Sequence, residues 1–143
     1  MVGMAPYVRS QWLEILGIKV NWLPLSWSTF INRMKTERPD IWVAGWQVDY
    51  PDPHDLLWRS EWRRHTSWQN ETYKRLIEEA RSLTDQRQRV DHYQQAEKIL
   101  IEQAAIVPVY YARQHILLKP WVRRFPSSAL IDWYWKDVII EPH

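Results

Sequence analysis

The hydrophobic pattern of this chain changes period several times along its length, and that alternation limits the architectures open to it. Trp27, Phe30, Ile31 and Met34 recur at helical spacing as one apolar stripe, and Ser26 stands where a side-chain cap would open the helix. Ahead of it, Ile18, Val20 and Trp22 alternate with Lys19 and Asn21 in the two-residue period of a strand, which Pro24 keeps short. Val8, Trp12, Ile15 and Leu16 predict an opening helix that stops at Gly17, whose freedom at positive φ suits the position past a helix end. After the breaker Arg38-Pro39-Asp40, the run IWVAGW is apolar at consecutive positions and predicts a strand buried on both faces between helical layers.

Further on, Asn70 precedes a helical pattern of Tyr73, Leu76, Ile77, Ala80 and Leu83. A second pattern carries Val90, Tyr93, Ala96, Leu100 and Ala104, so a helical hairpin is expected. AIVPVYY, HILLKPWV and WYWKDVII read as β segments, with Pro108 and Pro120 arguing against central ladder positions. Helices alternating with short strands imply an α/β lobe with crossover connections. The opening helix has no strand before it to pack beside, and structure upstream is expected.

Composition excludes several classes. With 45% hydrophobic and 25% charged residues over 143 positions, the chain has the balance of one globular domain. A net charge of +2 is too small to make nucleic acid or an anionic membrane the default partner. The absence of cysteine removes disulfides, thiol catalysis and thiolate zinc sites. No apolar run approaches the roughly 18 residues of a membrane span, and the first residues lack the pattern of an export signal. Eleven tryptophans against three glycines is the one oddity, since the indole suits wet clefts and interfaces.

The stretch GWQVDYPDPHDLLW, residues 45–58, gathers the residues that could do chemistry. Asp52, His54 and Asp55, with His65 beyond, offer oxygen and nitrogen donors but no recognised metal-ligand spacing, and a proline-stiffened turn is the simpler reading. Ser60, His65 and Asp55 would have to converge for nucleophilic catalysis, yet neither a nucleophile elbow nor a glycine-rich oxyanion turn is present. WRSEWRRHTSW interleaves aromatics with arginines as a single-strand nucleic-acid surface would. Trp58 and Trp62, four apart, fit equally one buried helical face with the arginines in water. The run EEARSLTDQRQR reads as the exposed surface of the hairpin. Asp49, after Trp46 and Gln47, is either a turn residue or a carboxylate presented to a ligand.

Several words of the sequence occur in the order and approximate spacing of a known family. They are WSTF at 27–30, AGWQVDYPDP at 44–53, YKRLIEEA at 73–80, and AEKILIEQAAIVPVYY followed by LLKPWV between 96 and 122. In these the chain resembles the C-terminal part of the solute-binding proteins of peptide-importing ABC transporters, the oligopeptide- and dipeptide-binding type. The resemblance implies an α/β C-terminal lobe portion of a two-lobed periplasmic-binding-protein-like fold. Residues 1–113 would form part of the C-terminal lobe, and residues 114–143 a tail returning to the first lobe, leaving Trp121, Trp133 and Trp135 short of cover.

The resemblance also implies that Asp49 faces the cleft and pairs with a peptide's α-ammonium group. The backbone near Gln47 would contact the peptide main chain, and Trp46 would supply an apolar wall. Ala112 stands where relatives often carry a further aromatic. Val43 stands where some carry a base, so no partner for the peptide's carboxylate is carried over. Relatives with this architecture also bind nickel complexes or sugars. The implied protein is a periplasmic or cell-surface receptor serving an ABC permease, with no cofactor, catalysis, metal, nucleic acid or membrane span of its own. The alternative is an orphan α/β interaction or nucleic-acid-binding module using the Trp/Arg-rich surface.

Overall fold

The computed structural model describes residues 3–37, 39–113, 115–125 and 135–143, without the side chain of residue 61. Arg38 of the breaker, Gln114 at the expected start of the tail, and Trp133 and Tyr134 of the last β segment lie outside the described residues. The chain divides into two compact units, Met1–Ile41 and Trp42–His143.

The first unit holds α1, Met4–Leu16, and α2, Trp27–Thr36. Gly17 ends α1 at φ 67°, donating its N–H to the Leu13 carbonyl while the Ile18 N–H reaches the Trp12 carbonyl. This left-handed stop consumes carbonyls that the helix end would otherwise leave unpaired. At α2 the Ser26 Oγ accepts from the Thr29 N–H at 3.3 Å, the expected cap. Met34 of the stripe is buried and Trp27 is exposed, stacked on Phe30 with ring centroids 5.5 Å apart.

The second unit is organised by the expected helical hairpin, α4 over Glu71–Ser82 and α5 over Gln86–Glu102, with the short α3, Glu61–His65, before it. Asn70 caps α4 through the Tyr73 N–H at 2.9 Å and Asp85 caps α5 through the Gln88 N–H at 2.9 Å. Ile77, Ala80, Ala96 and Leu100 are all at 0% exposure. The two alanines leave room for the helices to approach while the larger side chains fill the seam. Tyr73 completes this core, its ring set edge-on to Trp62 and Trp68 at 6.1 and 5.1 Å. Its hydroxyl donates to the Leu57 carbonyl, and burial pushes the phenol's pKa well up. After α5, Ala104 takes φ 51° so that the Ala105 N–H can close on the Leu100 carbonyl at 3.0 Å.

Trp58 and Trp62 do not share one helical face as the spacing suggests. Trp58 belongs to a single π-helical turn, Asp55–Arg59, and extended Ser60 separates it from α3. Trp62 is buried, its indole N–H donating to the Leu56 carbonyl at 3.1 Å, whereas Trp58 is half-buried with the Arg63 guanidinium 4.8 Å from its ring.

The β segments differ most from expectation. Among the described residues the sheet consists of β1, Val122–Arg123, paired antiparallel with β2, Ile139–Ile140. The segments at 18–22, 41–46 and 105–111 join no ladder among the described residues. Nor is IWVAGW buried on both faces, since Ile41 and Val43 are exposed. A strand needs a hydrogen-bonded neighbour as well as an extended backbone, and local sequence supplies only the second. The apolar side chains stay in water as a result, Val107 at 74%, Tyr111 at 98% and Leu117 at 99% exposure.

Candidate functional site

Residues 42–49 keep the alternation of a strand although no strand among the described residues pairs with them. Trp42, Ala44, Trp46 and Val48 are half-buried, while Val43, Gly45, Gln47 and Asp49 are exposed. Trp42 packs against the hairpin core and gives the segment its inner face. The outer face carries Gln47 and Asp49 together. Trp46 is not brought to them; it turns inward.

The loop that follows is stiff. Pro51 and Pro53 fix two φ angles, the Asp52 N–H reaches the Tyr50 carbonyl at 2.8 Å, and the Asp52 carboxylate accepts from the His54 N–H at 2.9 Å. The other Asp52 oxygen meets Arg89 of α5 at 2.5 Å, tying the loop to the hairpin. Tyr50 and His54 are joined through the hydroxyl and Nδ1 at 2.6 Å. Burial chiefly, then the Arg81 and Arg59 charges, lowers the His54 pKa against the opposing pull of Asp52 and Asp55.

Asp55 is the residue whose part the sequence conceals. It is at 0% exposure, and its Oδ2 accepts from the Trp46 indole N–H at 2.8 Å and from the Asp49 backbone N–H at 3.0 Å. One buried oxygen therefore fixes the inward tryptophan and the backbone of the outward aspartate. The signal was only a carboxylate six residues after Asp49, across a turn whose prolines fold the chain back on itself. The Asp49 carboxylate itself has no hydrogen bond or ion pair among the described residues. It is an exposed anion on a braced backbone, suited to meeting a cation.

The residues weighed for other chemistry are placed differently. Asp52 is engaged by the turn and by Arg89, and the Asp55 Oδ2 by Trp46 and Asp49. His65 lies edge-on to Trp42, ring centroids 6.3 Å apart. Among the described residues no group of three or more His, Cys, Asp or Glu side chains is disposed to hold a metal ion. No helix among them is long and apolar enough to cross a membrane.

Comparison with known proteins identifies the family of the chain. Residues 1–66 match the family model for bacterial extracellular solute-binding proteins, family 5, middle region. The chain is 33% identical over 144 aligned positions to the periplasmic oligopeptide-binding protein OppA of Salmonella typhimurium, covering 98% of this chain and 26% of that protein. It is 31% identical over 140 positions to the probable deoxycholate-binding periplasmic protein YgiS of Escherichia coli, covering 95% and 26%. The open, unliganded structure of the periplasmic murein tripeptide-binding protein MppA superposes with a TM-score of 0.74 at 29% identity, over 98% of this chain and 28% of that one. The chain thus spans about a quarter of the length of the curated relatives it matches. Its helices and small sheet have the α/β fold of a portion of a two-lobed periplasmic binding protein. The chain belongs to family 5 of the bacterial extracellular solute-binding proteins.

Proposed function

We propose that this chain is the C-terminal part of a periplasmic or cell-surface receptor that binds peptides non-covalently between two lobes and delivers them to an ABC permease. The observation that carries the reading is the exposed, unpaired Asp49 carboxylate on a backbone fixed by buried Asp55. A carboxylate so placed suits a ligand bearing an ammonium group. It disfavours a ligand whose only charged group is a carboxylate, so the peptide-binding relatives are the better guide than the deoxycholate-binding one. Gln47, on the same face, offers main-chain groups to an extended peptide in the manner of an added strand. Trp46 contributes from behind, by setting the height of the segment rather than by lining the ligand.

In this reading residues 1–113 belong to the second lobe and residues 114–143 return to the first. The exposed apolar side chains of Val107, Val109, Tyr111 and Leu117, and Trp135 at 62% exposure, support a further surface that covers them. The function is transport-linked binding and not catalysis; lobe closure around the peptide supplies the remaining contacts.

The test joins this chain to the preceding three-quarters of the Salmonella typhimurium OppA at the aligned boundary and measures peptide binding by calorimetry. Losing a charge-assisted hydrogen bond of about 1.5–3 kcal/mol, Asp49→Asn weakens peptides with a free amino terminus by roughly 10- to 150-fold. N-acetylated peptides are nearly unaffected, and deoxycholate does not compete. Equal loss for free and acetylated peptides removes Asp49 from this role. The 143 residues alone bind the same peptides weakly or not at all; micromolar binding would contradict the two-lobe reading.

A further inference from the structure

The turn after Asp49 and the hairpin border an open cleft of about 590 Å³ that none of Trp46, Gln47 or Asp49 lines. Its charge is unbalanced. Arg59, Arg81 and Arg89 stand around it with one carboxylate, Asp52. Asp52 is committed to Arg89 at 2.5 Å, and Arg89 also donates from Nε to the Ala80 carbonyl at 3.3 Å. Arg59 and Arg81 have no carboxylate partner among the described residues. The Arg59 guanidinium instead lies 5.9 Å from the Tyr50 ring centroid. Two uncompensated guanidinium groups therefore share a concave surface with Tyr50 and Trp58.

His54, which also lines the cleft, adds a second observation. The Tyr50 hydroxyl occupies its Nδ1, and its Nε2 is buried without a hydrogen-bond partner among the described residues. Burial first, and then the charges of Arg81 and Arg59, lower the pKa of this imidazole against the pull of Asp52 and Asp55, so the positive field of the two arginines reaches it across the cleft. Two guanidinium groups without a carboxylate partner among the described residues, on a concave surface walled by aromatic rings, make a place suited to an anion.

We propose that this cleft is a second binding site, separate from the Asp49 face, for a small oxyanion of the phosphate or dicarboxylate class, gripped by Arg59 and Arg81 between the Tyr50 and Trp58 rings. Guanidinium forks match two-oxygen anions in a way that chloride cannot reproduce. At the cleft wall Arg89 already holds one carboxylate oxygen, Asp52 Oδ2, at 2.5 Å.

The test is a nitrogen-15 NMR titration of the 143-residue chain with inorganic phosphate and, separately, with succinate, each against sodium chloride at equal ionic strength. Expected are saturable shifts of the Trp58 indole and Arg59 and Arg81 Nε–H signals with one or both oxyanions, the stronger arm naming the preferred one. Arg59→Gln and Arg81→Gln each weaken binding by about five-fold or more, and the double variant abolishes it. Asp49→Asn leaves it unchanged. Both arginines lie on the surface, so circular dichroism of the variants should match the parent. Shifts no larger than those from chloride, or shifts that survive in the double variant, overturn the proposal.

Discussion

Replacing Asp55 tests whether one buried oxygen organises the candidate site. The side chain is fully buried, and its Oδ2 serves the Trp46 indole at 2.8 Å and the Asp49 amide at 3.0 Å. In Asp55→Ala both donors lose their acceptor, and a buried donor left unsatisfied costs about 1–3 kcal/mol, so the pair amounts to about 2–6 kcal/mol. Removing a buried charge returns part of its desolvation cost, which places the expected loss in the lower half of that range. Asp55→Asn keeps one oxygen of the same shape and exchanges a charged acceptor for a neutral one, a loss of about 1 kcal/mol per bond. With a urea dependence of about 2 kcal/mol per molar, Asp55→Ala moves the unfolding midpoint down by about 1–2 M, and Asp55→Asn by about 1 M. Hydrogen exchange supplies the local readout: the Asp49 amide is protected in the parent chain and exchanges at the rate of open backbone in Asp55→Ala, while Ile77 in the hairpin core changes only with global stability. An unchanged midpoint together with an unchanged Asp49 amide would refute the brace.

Two further outcomes follow from features distant from Asp49. Ala104 holds φ 51°, where a Cβ is strained, so Ala104→Gly stabilises the chain by about 0.5–1 kcal/mol, read as a higher urea midpoint. The pKa of His54 is lowered from 6.5, by burial first and then by Arg81 and Arg59, with Asp52 and Asp55 opposing. The unfolded chain therefore binds this proton more readily, and stability falls as pH drops through about 6.5 towards the lower folded value. His54→Gln flattens that slope relative to the parent in urea titrations at a series of pH values, and an identical slope in the two proteins would count against it.

Helix ends and helix faces were legible because their signals are local. Ser26 and Asn70 sit within three residues of the amides they cap, Gly17 is the αL residue itself, and the buried set Tyr73, Leu76, Ile77 and Ala80 repeats at helical spacing. The family resemblance rested on words in the same segments. What stayed hidden depends on partners distant in sequence or on geometry with no compositional mark. IWVAGW has strand composition, but only a neighbouring strand could make it one. Ala104 at positive φ is invisible because alanine, the strongest helix former, carries no mark of that conformation. The break at Ser60, which separates Trp58 from Trp62, follows a π turn that no simple periodicity announces. At the site, alternation alone assigns Gln47 and Asp49 to one face and Trp46 to the other, while the reach of Asp55 back across two prolines depends on how the whole turn folds.

The unpaired backbone around Val107, Val109 and Tyr111 has a practical consequence. Its amides and carbonyls can zip to any extended segment of fitting register, so the companion it acquires is settled by encounter frequency. In concentrated samples the most frequent visitor is an identical molecule. Self-association that rises steeply with protein concentration, and falls when a charged side chain is placed at Val109, is the behaviour such an open edge dictates.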